Sequence, residues 1–150
     1  MSLEKDINQS NFRNEHQKAI INLIYTYNWM NEQMRAFFER VDITSQQFNI
    51  LRILRGAGQP LSTLQIRQRM LDKMSDTSRI VDRLITKGLV KKVVCKSDKR
   101  LVDVSITDKG KKLLEKTDKY EPEMDALFGS LTDAEAKTLN KLLDKIRHRD

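Results

Sequence analysis

One cysteine, Cys95, and two histidines, His16 and His148, are the only thiol and imidazole groups that this 150-residue sequence carries. A single thiol excludes an intramolecular disulfide framework and makes a reducing compartment the natural expectation. Two histidines near opposite ends supply no visible activated nucleophile, and a tetrahedral zinc site would need more ligands than these unless carboxylates join, so no enzyme, metal or cofactor is expected. A lone cysteine in a strand-like segment is ordinarily inert filling. No apolar run approaches the roughly 18 residues of a membrane span, and the polar N-terminus holds no apolar signal core. The expected location is therefore cytoplasmic. Internal repeats and low-complexity stretches are also missing, so residues 1–150 read as one globular unit.

What is present in excess is positive charge, and it is concentrated. The net charge is +7, and the segment from Ser62 to Arg100 holds eleven Lys or Arg against four Asp, which accounts for all of it. A patch of this kind points to a polyanionic partner, whereas the same lysines scattered over the surface would only keep it solvated.

The apolar periodicities define the elements. From Asn14 to Arg40 there is no Gly or Pro, and Ile20, Leu23, Ile24, Tyr27, Met30, Met34, Phe37 and Phe38 recur at helical spacing. At about 1.5 Å per residue this helix is roughly 40 Å long, more than one small core covers. Thr44 with Gln47 and Ser62 with Gln65 have capping-box spacing and open two further helices, the first ending at Gly56-Ala57-Gly58. A fourth helix, capped by Ser75 or Asp76, carries Ile80, Val81, Leu84 and Ile85 inward and stops at Gly88. Two short helices across the tight turn at Leu71-Asp72-Lys73 make a helix-turn-helix. The period then shortens, and Leu89–Cys95 and Leu101–Ile106 read as two strands of a hairpin joined by the basic loop Lys96-Ser97-Asp98-Lys99-Arg100. Thr107 caps a helix running to about Tyr120, and Pro122 breaks it. Thr132 with Glu135 opens a last helix with Leu139, Leu142, Leu143 and Ile146 on one face.

The run Ser97-Asp98-Lys99-Arg100-Leu101-Val102-Asp103-Val104-Ser105-Ile106-Thr107-Asp108-Lys109-Gly110 closely resembles the wing of the MarR (multiple antibiotic resistance regulator) family, an Asp-x-Arg loop followed by a Val-x-Leu-Thr-x-x-Gly transition. Ser78 to Val90 is similar to that family's recognition helix and its exit. The helix order matches from about residue 14 onward. Two positions depart from the pattern: Arg67 stands where a small alanine is usual, and Ile106 replaces the commoner leucine. An arginine there either points out beside the groove or packs its stem.

The resemblance implies a mainly α fold with a small β-hairpin wing, a winged helix-turn-helix that dimerises through its N- and C-terminal helices. The expected division is a dimerisation region of residues 1–43 and 108–150 around a DNA-binding lobe of residues 44–107. Ser75, Asp76, Thr77, Ser78 and Arg79 would occupy the recognition-helix end that enters the major groove, with Arg79 the candidate for a bidentate guanine contact and Asp76 a cap. Arg83, one turn on, faces phosphate or pairs with an acid of the domain. In the wing, Arg100 would enter the minor groove, oriented by Asp98, while Lys96 and Lys99 suit phosphate.

Apolar faces on the terminal helices that one domain leaves uncovered imply a homodimer, with Phe12, Ile20 and Leu23 on one side and Leu139, Leu142, Leu143 and Ile146 on the other. Tyr25, Tyr27, Trp29, Met30 and Met34 are the candidates for a small aromatic effector pocket, since family members bind phenolic effectors between the dimer region and the lobe. The function implied is a transcriptional regulator, most often a repressor, on a palindromic double-stranded DNA operator. A winged-helix module whose basic surface meets RNA or a protein is the alternative.

Overall fold

The computed structural model describes residues 2–98 and 101–148. A four-residue helix, α1 (Leu3–Asp6), precedes the long α2 (Glu15–Glu39), followed by α3 (Ser45–Ala57), β1 (Leu61–Ser62), α4 (Thr63–Arg69), α5 (Thr77–Thr86), β2 (Val90–Val94), β3 (Val102–Ile106), α6 (Asp108–Asp118), α7 (Glu121–Asp125), a 3-10 turn (Ala126–Phe128) and α8 (Asp133–Arg147). The expected helix starts are chemically real. Asn14 accepts from the Gln17 N–H, and reciprocal capping boxes close Thr44 with Gln47, Ser62 with Gln65 and Thr132 with Glu135. α3 ends on Gly58 in the left-handed region, φ +64°.

The hairpin is one strand larger than expected. β1 pairs antiparallel with β3, Leu61 opposite Val104, and β3 pairs with β2 from Val90–Ile106 to Val94–Val102, so the sheet order is β1-β3-β2. Two residues show no alternation, which is why β1 is invisible to periodicity. Leu61 is nonetheless among the most buried side chains. α1, α7 and the 3-10 turn were likewise unexpected; Pro122 sits in the first turn of α7 and begins that helix rather than only breaking the one before it.

The core is built from one face of each helix. Ile50, Leu51 and Leu54 of α3, Ile66 of α4, Ile80, Val81 and Leu84 of α5, and Leu114 of α6 close on Leu61, Leu89, Val90 and Val104 of the sheet and its flank. Full burial of a leucine such as Leu84 or Leu114 is worth about 2 kcal/mol. Phe37, Phe38, Val41 and Ile43 join the same core from the segment before α3. Phe38 packs on Phe48 with tilted rings 4.9 Å apart, and Phe37 meets Tyr120 edge-on at 5.5 Å. Arg55 of α3 grips Asp118 of α6 with two bonds of 2.7 and 3.0 Å, which hold its guanidinium pKa above the ordinary value. The C-terminal end of α2 is thus fixed in this core, while Ile20, Leu23, Ile24 and Tyr27 nearer its start are exposed.

Candidate nucleic-acid interface

The helix-turn-helix geometry rests on polar groups that the apolar pattern does not reveal. Asp72 organises the turn: its carboxylate accepts from the Met74 N–H at 3.0 Å and from Gln46 Nε2 of α3 at 3.1 Å, and its carbonyl accepts from the Ser75 hydroxyl at 2.8 Å. Asn49 Oδ1 takes the Leu71 N–H at 3.0 Å. Gln46 and Asn49 are positioning residues that sequence reasoning missed; they look like ordinary exposed polar side chains of a helix. Asp76 Oδ1 then caps α5 through the Arg79 N–H at 3.2 Å.

The fold turns Ser78, Arg79 and Arg83 outward from α5, and neither arginine forms an ion pair among the described residues. Asp82 between them is taken by Lys92 of β2 at 3.6 Å. Among the described residues, Arg83 therefore does not pair with an acid of its own domain. Ser75 and Thr77 are less available than the sequence suggests. The Ser75 hydroxyl is bound to Asp72, and Thr77 is only 3% exposed, its Oγ1 buried without a partner among the described residues. Between α4 and the start of α5 opens a hollow of about 460 Å³ bordered by Leu64, Arg67, Met74 and the segment Ser75–Ser78. Arg67 is exposed on its wall, so it points out beside the motif rather than packing into the core.

In the wing, Lys91, Lys92 and Lys96 are exposed and Asp98 is half-buried. Lys99 and Arg100 lie outside the described residues. Cys95, at the end of β2, sits 3.0 Å from the Ser97 hydroxyl. That contact, followed by the backbone amides of Asp98 and Ser97, holds its thiol below the usual range. The wing is tied to α6 through Thr107. Its hydroxyl accepts from the Gly110 N–H at 3.1 Å and donates to the Gly88 carbonyl at 2.7 Å, while its N–H reaches the Leu89 carbonyl at 3.1 Å.

Away from the lobe, Ile20, Leu23, Ile24 and Tyr27 form an exposed stripe on α2, and α8 buries none of its side chains: Leu142 and Ile146 are exposed, Leu139 and Leu143 half-buried. Phe12 is half-buried, with the Lys18 ammonium 5.7 Å from its ring centre. The five effector candidates do not converge. Tyr25 and Trp29 border a hollow of about 270 Å³ with Leu3, Asp6, Asn22 and Thr26. Met34 instead packs on the main core, and Tyr27 and Met30 do not line that hollow. No helix among the described residues is long and apolar enough to cross a membrane.

Three helices closing on a short antiparallel sheet, with α5 presenting outward arginines and β2 carrying Lys91 and Lys92, define a winged helix-turn-helix lobe. Residues 41–101 match the MarR family profile. The multiple antibiotic resistance protein MarR of Salmonella typhimurium is 30% identical over 128 residues, 83% of this chain and 88% of that protein. The chain belongs to the MarR family of transcriptional regulators. It is also 27% identical to the HTH-type transcriptional repressor IacR of Pseudomonas putida, over 78% of this chain and 70% of that one. The fold matches a cysteine-to-serine mutant of E. coli MarR crystallised with operator DNA, at a TM-score of 0.80 and 24% identity, covering 93% of this chain and all of the other.

Proposed function

We propose that the chain binds a palindromic operator in double-stranded DNA as a homodimer and represses transcription, with a small aromatic molecule as its release signal. The observation that carries the reading is the outward face of α5: Arg79 and Arg83 stand exposed and unpaired among the described residues, one turn apart, on a helix whose other face is locked into the core. Arg79, near the N-terminal end, reads a base edge, and Arg83 and Lys96 hold phosphates. Ser78 beside Arg79 adds an exposed hydroxyl. Lys99 and Arg100 complete the wing contacts. The likeness in fold to a MarR solved on operator DNA supports this use of the lobe, and the relationship to IacR supports repression.

The uncovered stripes of α2 and α8 belong to a two-fold dimer, which divides the chain into a dimerisation region of residues 1–43 and 108–150 and a lobe of residues 44–107. The dimer sets the two recognition helices about 34 Å apart, one turn of duplex. Effector binding, in the region of Tyr25 and Trp29, shifts the balance between dimer shapes that bind DNA well and poorly.

Arg79→Ala is expected to relax sequence preference by about 1–3 kcal/mol at one base pair, whereas Lys96→Ala weakens every duplex alike and lowers the slope of log affinity against log salt by about one contact. Titration of fluorescent duplexes at several salt concentrations separates the two. Equal losses for Arg79→Ala on all sequences would remove its base-reading role; a preference for RNA over duplex DNA would favour the RNA-directed module.

A further inference from the structure

The turn that carries the helix-turn-helix exposes apolar side chains where charge dominates. Met74 is 93% exposed, Leu71 87%, and Leu64 on α4 64%. Single exposed apolar residues are common and require no explanation. Leu64 and Met74, however, border the same hollow, with Arg67 and Ser78 on its rim. Met74 does not belong to the core by default: Met70, four residues earlier, already fills that place at 1% exposure. Nor is Met74 on a loose loop end, because its N–H is held by Asp72 and the next hydroxyl by the Asp72 carbonyl.

The surroundings specify what covers this apolar pair. Arg67 borders the hollow with it, Arg69 and Arg79 are exposed on the two helices that flank the turn, and the two acids of the turn are each engaged within the motif, Asp72 by Gln46 and Met74 and Asp76 by the α5 cap. A basic rim around an apolar floor suits a polyanion that also offers an apolar group. In the major groove of a duplex that group is the 5-methyl of thymine, the one base-edge feature read by apolar contact. We propose that Leu64 and Met74 read thymine methyl groups at the edge of each operator half-site, a specificity element added to the base contact of Arg79. This rests on the duplex-binding function proposed above. The unbranched thioether of Met74 adapts to the groove wall, and Leu64 limits the space beside it. Arg67, in place of the family's usual alanine, supplies charge at the same edge and draws the phosphate backbone toward the apolar pair.

The test replaces each thymine of the selected operator, one at a time, with deoxyuridine, which deletes the methyl group and nothing else. Wild-type protein is expected to lose about fourfold in affinity at one or two thymines per half-site, the fold-change for burying one methyl's worth of surface. Met74→Ala is expected to bind the thymine operator more weakly and to be indifferent to uracil at one of those positions; Leu64→Ala serves as the second variant. Both positions are exposed, so thermal melts should match wild type. The proposal is overturned if wild type tolerates uracil at every position, or if both variants keep the full thymine-to-uracil ratio. Variants with unchanged DNA affinity would likewise overturn it and leave the apolar pair to a protein partner. Binding of no duplex at all would remove the underlying function too, whereas tight, sequence-selective binding without a methyl effect removes this inference alone.

Discussion

Gly110 illustrates how narrowly one residue fixes the wing. A Cβ built there would lie 2.3 Å from the Leu89 carbonyl oxygen and 2.8 Å from Ile106 Cγ1, so any side chain must push the first turn of α6 off the exit of α5. The same few atoms hold Thr107, which bonds the Gly88 carbonyl and the Gly110 N–H with one hydroxyl. Only glycine keeps both the cap and the close approach, which is the physical content of the Thr-x-x-Gly pattern in the sequence. Gly110→Ala is expected to cost about 2–3 kcal/mol, at the upper end of overpacking in a filled site. That corresponds to a melting temperature roughly 5–10 °C lower for a domain of this size. A calorimetric scan checks this, and an unchanged melting temperature would show that the wing relaxes more easily than its contacts indicate.

At the scale of elements, the pieces readable from sequence are those whose signal is carried by side chains close in the chain. Capping pairs such as Thr44 with Gln47 and the 3.6-residue stripe of α5 are local, and they gave helix starts and inward faces correctly. β1 was not readable, because a two-residue strand exists only through its pairing with β3 about forty residues on. α1 was missed for a similar reason: four residues cannot hold a helix alone, and it docks on α2 through an ion pair between Glu4 and Lys18. Ser78, Arg79 and Arg83, which the resemblance put on the recognition helix, are exposed, while the inward turn of Thr77 and the dispersal of the effector candidates depend on packing that no local pattern encodes.

The α1 contact also responds to acid. Lys18, then the backbone and Ser2, hold the Glu4 carboxyl down at about 2 from an ordinary 4.5, so its contribution is fully present above 4.5 and is lost as pH falls toward 2. Trp29 borders the hollow beside α1 and is the sole tryptophan. Its emission is expected to stay constant down to about pH 4.5 and shift below it, and Glu4→Gln is expected to show part of that shift at neutral pH. Emission of Glu4→Gln identical to wild type would detach Trp29 from this pair. For α8, none of whose side chains is fully buried within its own chain, Leu142→Glu with Ile146→Glu is expected to turn the proposed dimer into monomers by light scattering while the helical content persists. A variant that remains dimeric would place the interface elsewhere.

The whole molecule divides into two surfaces of opposite chemistry. All of the net +7 falls between Ser62 and Arg100, on the lobe, while the remainder is formally neutral and carries uncovered apolar stripes on α2 and α8. Charge of that kind attracts polyanions over a distance, and apolar stripes of that kind mark surfaces of association. In the proposed dimer the two surfaces together would set two recognition helices at a fixed spacing. The most direct test is selection from a pool of random duplexes at moderate and high salt, with the mass of the protein measured in the same buffer. A dimer that enriches a palindrome with half-site centres about one helical turn apart, and whose binding falls steeply with salt, is the predicted result. A monomer, or salt-sensitive binding that enriches no sequence, would contradict it.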